Sequence, residues 1–142
     1  MFEIEKEFKK SLQRISQVNI DGLGFLDYFY KEFLNSSDEI AELFSSTNFE
    51  NQTKMLKKSI AELVRFYSEK TINQHLLAIG SLHSKTKLNI RPEMYDIWLT
   101  TLLNAVKKFD PEFHTKTELI WRIILAPGIA YMKFAYDHPN LL

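Results

Sequence analysis

Apolar residues recur at intervals of three and four through most of the chain, which is the spacing of amphipathic helices. No alternating strand pattern, internal repeat or low-complexity tract interrupts this periodicity, so the pattern predicts an all-α protein. The apolar positions that define the successive helices are Phe8, Leu12, Ile15 and Val18; Leu23, Leu26, Tyr30 and Phe33; Leu56, Ile60, Leu63 and Tyr67; Ile72, Leu76 and Ile79; Tyr95, Trp98, Leu99, Leu102, Val106 and Phe109; and Trp121, Leu125 and Met132.

Local residues predict where several helices begin and end. The segments Ser36–Glu39 and Thr115–Glu118 have the spacing of a capping box, in which a hydroxyl and a Glu side chain satisfy free backbone donors. The first box is expected to open a short helix that runs through Phe44. Pro92 suits the first turn of a helix, whereas Pro127 lies inside the last helix and predicts a kink there.

Length and composition narrow the class of protein. The 142 residues fit a single domain, 1–142, that is large enough to bury a core. The 18 basic and 18 acidic residues balance, so a nucleic-acid binder, which normally carries a basic excess, is not expected. The absence of Cys excludes disulfides and Cys-bound metals and suits the cytoplasm. No apolar run resembles a signal peptide or a membrane span, so neither is expected.

His83 is the most informative single residue. It follows Leu76 and Ile79 on one helix face, so an apolar stripe ends in an imidazole. Haem is flat and apolar and needs an axial base with water kept away, so this arrangement meets the requirements of a haem ligand, although a histidine on an apolar face, taken alone, is more often a core residue. A histidine packed in the core is the alternative interpretation. The other histidines, which are predicted to lie at the surface, are His75, His114 and His138.

Tyr30 and Gln52 each place one hydrogen-bonding group on an otherwise apolar helix face. Burying such a group without a partner costs about 1–3 kcal/mol. Two of them, on helices that face the same slot, indicate a polar ligand between them, and a phenol O–H and an amide N–H are suitable donors to bound dioxygen. In the alternative interpretation Tyr30 only packs and Gln52 faces water.

Together with Trp121, five segments resemble bacterial single-domain globins and the globin part of flavohaemoglobins over nearly the whole chain. The segments are Phe29–Phe33, Glu39–Phe44, Gln52–Leu56, Ile79–His83 and Ile90–Trp98. The resemblance implies the globin fold, in which helices A, B, C, E, F, G and H surround a haem pocket. It also implies haem b as the cofactor.

The resemblance implies a role for each candidate residue. His83 is implied as the proximal iron ligand, with Tyr95 as its neighbour on that side. Tyr30 and Gln52 are implied as the distal hydrogen-bonding pair, with Leu56 as the steric wall above the iron. The residues implied to contact haem are Phe44, Leu56, Ile79, His83, Ile90 and Trp98. Simple core packing is the alternative for Phe44 and Tyr95, and Lys85 and Lys87 are either propionate partners or solvated charges.

The chain also departs from the flavohaemoglobin pattern. Those proteins have a Glu late in the last helix that supports the proximal His, and the corresponding position here is Tyr136. A carboxylate there would make the imidazole a stronger donor, so peroxidase-like activation is not expected. The loop after His83 is also expected to be longer. The chain is expected to carry no flavin domain, so that turnover requires a separate reductase.

Two functions of different classes follow. The first is a haem protein that binds dioxygen and other diatomic gases, including nitric oxide, at ferrous iron, and that supports nitric oxide dioxygenation or gas sensing. The second is a haem-free globin-like regulatory module that binds an apolar ligand or a protein partner. A plain helical assembly bundle explains the periodicity but not the polar interruptions. The sequence leaves open whether the chain is a monomer or a homodimer.

Overall fold

The computed structural model describes residues 3–141, and within them the chain forms seven α-helices. They are α1 (Ile4–Ser16), α2 (Phe25–Leu34), α3 (Asp38–Leu43), α4 (Phe49–Glu69), α5 (Gln74–His83), α6 (Pro92–Phe109) and α7 (Thr115–Ala135). The β structure of this part of the chain is limited to an isolated bridge between Ile20 and Leu23. The predicted all-α class is therefore confirmed. Residues 1, 2 and 142, at the ends of the predicted domain, lie outside the described residues.

Helix α7 is the centre of the packing. It contacts α1, α4, α5 and α6, while α2 packs mainly against α6. Trp121 of α7 is completely buried, and its ring lies 4.5 Å from that of Phe8 in α1, centroid to centroid. Because α4 and α5 both pack on α7, this one helix determines where the two helices that carry Gln52 and His83 lie. None of the helices within residues 3–141 is both long enough and apolar enough to cross a lipid bilayer.

Helix α3 begins one residue later than the proposed capping box places it. Ser37 is the N-cap, and its hydroxyl oxygen accepts a hydrogen bond from the backbone N–H of Ile40 at 3.1 Å. The hydroxyl of Ser36 instead donates to the carbonyl of Phe33 at the end of α2, and it does not cap α3. The helix ends at Leu43, with Phe44 as its C-cap. The predicted box was wrong because Ser36 hydrogen-bonds to the end of α2, and Ser37, the next residue, caps α3.

Helix α7 has a capping box, but it is also displaced by one residue. The N-cap is His114, whose Nδ1 accepts from the backbone N–H of Lys116 at 3.2 Å, and Thr117 accepts from the backbone N–H of His114. The ring nitrogen of His114 therefore caps the helix, a role that the sequence analysis assigned to the hydroxyl of Thr115. His114 is exposed as predicted, and α7 remains helical through Pro127.

Some predicted apolar positions fall outside the helices. Leu23 precedes α2, whose buried face consists of Phe25, Phe29, Tyr30 and Phe33. Val18 follows α1 and Ile72 precedes α5, although both pack against the core. The helical period of these stripes was right, but periodicity does not show where the backbone stops coiling.

A buried polar network joins α1 and α7 to the end of α6. The carboxylate of Asp110, just after α6, accepts a hydrogen bond from Ser11 at 2.7 Å and two from Arg14 at 2.7 and 2.9 Å. The indole N–H of Trp121 donates to the hydroxyl of Ser11 at 2.9 Å. Burial alone would raise the pKa of Asp110, but the hydrogen bonds from Arg14 and Ser11 hold it below its usual value. Asp110 is therefore ionised and forms an ion pair with Arg14, and this ion pair holds α1 against the loop between α6 and α7.

Candidate functional site

Tyr30 and Gln52 are hydrogen-bonded to each other. The amide Nε2 of Gln52, in the first turn of α4, donates to the phenol oxygen of Tyr30 in α2 at 3.1 Å. The phenol O–H has only a long contact of 3.5 Å to the backbone carbonyl of Gln52. Tyr30 is 5% exposed and Gln52 is half-buried. The phenol oxygen of Tyr30 therefore accepts a good hydrogen bond, whereas its O–H group has only a long, weak one and can donate to a ligand.

Burial keeps that phenol protonated. It raises the pKa of Tyr30 to about 12, although the hydrogen bond from Gln52 acts in the opposite direction. At neutral pH the side chain is a neutral O–H donor. Because removal from water is the main cause, an anionic Tyr30 is strongly disfavoured in this position.

Three phenylalanines enclose Tyr30 where α2, α3 and α4 meet. The ring of Tyr30 makes edge contacts with Phe44 and Phe49, at centroid distances of 5.8 and 5.6 Å. Phe29, the preceding residue of α2, contacts the Tyr30 ring at 5.2 Å. Phe49 was not predicted as part of the site, although its spacing of three from Gln52 and seven from Leu56 places it on the same helix face. The result is an apolar wall around a single hydrogen-bonded pair.

His83 lies at the end of α5 and contacts Tyr95 in α6. Its Nδ1 is 3.2 Å from the phenol oxygen of Tyr95. Burial lowers the pKa of His83 and raises that of Tyr95, so both groups are neutral near pH 7. In the tautomer in which Nδ1–H donates to Tyr95, the lone pair of Nε2 is free to bind a metal. Within the described residues, Nε2 has no hydrogen-bond partner.

The loop after His83 folds back on the end of α5. The backbone N–H of Ile90 donates to the carbonyl of His83 at 3.0 Å, so Ile90 lies close to the candidate ligand. The phenol of Tyr136 donates to the amide oxygen of Asn89 at 2.5 Å. Tyr136 therefore stabilises this loop. Lys85 is exposed and forms an ion pair with Asp137 at 3.2 Å.

The other predicted haem contacts lie on the same helices as these two pairs. Leu56 is 5% exposed on α4, one turn after Gln52. Ile79 is half-buried on α5, one turn before His83, and Trp98 is half-buried on α6, with its ring against Phe29. The structure thus brings together Tyr30 with Gln52 and His83 with Tyr95. Haem contact itself stays a prediction for each of these residues.

Two glycines determine how closely α4 and α5 approach α7. A Cβ atom on Gly80 of α5 would lie 2.7 Å from the phenol oxygen of Tyr131, and one on Gly128 of α7 would lie 2.1 Å from Leu63 of α4. Both distances are shorter than real Cβ contacts allow. The sequence contains these glycines but gives no sign of their partners, so this function was missed.

A surface groove of about 530 Å³ lies elsewhere, between α2 and α6. Most of the residues that line it are of polar types, although apolar atoms form the larger part of its surface, and none of the predicted site residues is among them. Tyr28, Glu32, Asn35, Ser36, Asp96, Ile97, Thr100, Thr101 and Asn104 line it. The carboxylate of Asp96 is paired with Lys133 at 2.7 Å. The groove lies apart from the predicted haem contacts, and the sequence analysis did not anticipate it.

The seven helices have the order and packing of a globin, as their superposition on a solved structure shows. The particular family follows from a comparison with known structures. A protein of Pseudomonas aeruginosa, whose crystal structure is described as structurally highly homologous to a human haemoglobin, superposes with a TM-score of 0.87. The two sequences are 34% identical, over 95% of this chain and 99% of that chain. The chain therefore belongs to the same family as this bacterial haemoglobin-like protein.

Two further comparisons found nothing. No family model matches the chain, and no curated protein matches it. The globin fold is thus established by the structural relative. The more specific resemblance to flavohaemoglobins stays a prediction.

Proposed function

We propose that the chain is a haem globin that binds dioxygen and nitric oxide. The observation that carries this proposal is the state of His83: a neutral imidazole at the end of an apolar helix face, with Nδ1 against Tyr95 and Nε2 without a partner among the described residues. A neutral imidazole nitrogen is the usual protein ligand of haem iron in globins. This single neutral donor therefore fits the iron of haem, and the globin resemblance implies haem b.

His83 would hold the iron, and Tyr95 would orient the imidazole through Nδ1. A hydrogen bond at the second ring nitrogen selects the tautomer and the ring orientation of a metal-bound histidine. Tyr95 is a neutral phenol and therefore a weaker partner than a carboxylate. This arrangement supports reversible ligand binding better than peroxidase-like activation.

Tyr30 and Gln52 would recognise the bound gas. When bound, haem supplies ferrous iron as the binding site for dioxygen or nitric oxide. Tyr30 offers a protonated O–H that lacks a good partner, and Gln52 orients the phenol by donating to its oxygen. The neighbouring rings of Phe44 and Phe49 would limit the access of water to this pair, which would strengthen its hydrogen bonds. Such donors slow ligand release, which suits sensing or nitric oxide dioxygenation more than transport.

The apolar helix faces would hold the porphyrin. Leu56 on α4 and Ile79 on α5 lie one turn from the residues proposed to act on the ligand and on the iron. Phe44, Ile90 and Trp98 would complete the apolar surroundings. Enzymatic turnover would also need an electron donor, because each oxidised haem must be reduced before it binds dioxygen again.

Haem titration tests the proposal directly. Purified protein is supplemented with haem, and the absorption spectra of the ferric, ferrous and carbonyl forms are recorded. The wild type is expected to show an intense Soret band and a carbonyl shift. His83→Ala is expected to abolish the normal spectrum, whereas the matched control His75→Ala, exposed on the same helix, leaves it intact. A folded wild type that takes up no haem would overturn the proposal and favour a haem-free module.

A further inference from the structure

The outer face of α4 carries three lysines at the spacing that puts them side by side. Lys54, Lys57 and Lys58 are all exposed, and positions three and four apart are neighbours on a helix surface. We call these residues the α4 lysine patch. Within residues 3–141, none of the three ammonium groups has a carboxylate within ion-pair distance.

The acidic residues nearest along the helix do not neutralise this patch. Glu50 lies four residues before Lys54 and forms no ion pair with it. Glu62, four residues after Lys58, instead accepts a hydrogen bond from the amide of Asn73 at 3.0 Å. Because like charges at these spacings repel, the patch weakens the helix that carries it. The chain as a whole has no net charge, so a general basic excess does not explain the cluster.

An apolar side chain lies next to the patch. Met55 is 53% exposed, one of the highest values among the large apolar residues. On a helix it is adjacent to Lys58, three residues further on. A flexible apolar residue beside charged ones is typical of a docking surface, where Met is enriched and charges form the rim.

The opposite face of the same helix forms the proposed pocket. Gln52, Leu56 and Ile60 point inward from α4, and the lysines point outward. A helix is about 10–12 Å across with its side chains, so a partner on the outer face is one helix away from the pocket. Electron transfer requires such a short separation, and a basic surface steers an acidic partner to it.

We propose that the α4 lysine patch is the docking surface for an acidic electron-donor protein. The proposal rests on the function proposed above, since it is the haem iron that is reduced. In each encounter one electron passes from the reduced flavin of the donor to ferric iron, and no atom is transferred. Because the patch is basic, the face of the donor that meets it carries carboxylates around the exposed edge of its flavin.

Binding of the donor tests the surface without turnover. Oxidised flavodoxin, a small acidic flavin protein, serves as the probe, and its affinity for the haem-loaded chain is measured by calorimetry at an ionic strength of about 10 mM, where charges act over roughly 30 Å. The triple variant Lys54→Glu, Lys57→Glu and Lys58→Glu is expected to lower the affinity at least ten-fold. Stopped-flow reduction by reduced flavodoxin is expected to slow by about the same factor. For the wild type, the affinity for flavodoxin and the rate of reduction should both fall steeply as the salt concentration rises towards about 1 M.

Helix α1 provides a matched control. Lys6, Lys9 and Lys10 are exposed and have the same spacing on a helix that packs against α6 and α7. Their triple replacement by Glu makes the same change in net charge and is expected to alter the affinity less than three-fold. Replacing the α4 lysines by Gln provides a milder variant if charge reversal disturbs folding.

The outcomes separate the two proposals. Haem uptake with equal affinities in all variants overturns the docking surface alone. Equal losses in the α4 and α1 variants show a general charge effect and also overturn it. Failure of the wild type to bind haem overturns the proposed function, and the docking proposal with it. A selective loss in the α4 variant that disappears at high salt supports the surface.

Discussion

Gly80 lies directly against the phenol of Tyr131, so close that a Cβ atom at position 80 would be 2.7 Å from the phenol oxygen. This contact places α5 on α7 one turn before His83. The equivalent contact of Gly128 with Leu63 places α4 on the same helix. The two glycines therefore control where the helices of the proposed proximal and distal sides lie.

Gly80→Ala is expected to destabilise the fold by about 1–3 kcal/mol, the usual cost of overpacking. Where nothing contacts the helix, replacing Gly by Ala stabilises it by about 1 kcal/mol. A loss of stability in Gly80→Ala would therefore show that the contact with Tyr131 is tight. Tyr131→Leu removes the ring, and in that background Gly80→Ala should become neutral or stabilising. Urea unfolding of the four proteins measures this coupling. Equal effects of Gly80→Ala in both backgrounds would show that Tyr131 is not the obstacle.

Tyr30→Phe and Gln52→Leu are each expected to speed dioxygen release about five-fold, which corresponds to roughly 1 kcal/mol for a hydrogen bond. Gln52→Leu acts through Tyr30 as well, because it removes the group that orients the phenol. Flash photolysis and ligand-replacement kinetics on the ferrous protein measure the rates. Thr53→Val, at the next position of α4, is the control and should leave the rates unchanged. Unaltered rates in both test variants would remove the proposed distal pair.

Arg14→Leu is expected to cost about 3 kcal/mol of unfolding free energy, since it leaves the buried carboxylate of Asp110 without its cation. Arg65 provides a matched control, because it also binds a carboxylate at 2.7 Å, that of Glu69, but at the solvent-exposed surface. Arg65→Leu should have little effect, since exposed ion pairs contribute little. Denaturant titrations compare the two. Similar costs for both variants would mean that the Asp110 network is not stabilising.

The stability of the haem-free protein should fall as the pH drops below about 6.5, in part because of His83. Burial lowers the pKa of His83 in the folded chain, whereas the unfolded chain binds this proton near the ordinary value. Between the two values the unfolded state holds more protons, so acid favours it. His83→Leu should flatten this part of the pH dependence in urea unfolding, and the exposed control His75→Leu should not. A slope that His83→Leu leaves as steep would show that burial does not control this proton.

The helices and their inward faces could be predicted because they depend on local order along the chain. Residues such as Leu56, Ile60 and Leu63 repeat with the helical period whatever they pack against, so α4 and its buried stripe were correct. The candidate site residues could also be identified from the sequence, since a polar residue at an otherwise apolar helix position, as at Tyr30 and His83, breaks the periodic pattern. Helix ends were less predictable, because Ser36 and Ser37 differ only in which backbone group is within reach, the carbonyl of Phe33 for Ser36 and the N–H of Ile40 for Ser37.

Contacts between distant residues required the tertiary structure. The Asp110–Ser11 hydrogen bond joins positions 99 residues apart, and the approach of Gly80 to Tyr131 joins positions 51 residues apart. No periodicity links such positions. Their partners depend on how α1, α5 and α7 cross, which is set by the fit of side chains across the whole core. Local chain chemistry thus decides which faces are apolar and where a ligand atom can appear, while the close packing of helices decides which of those atoms meet.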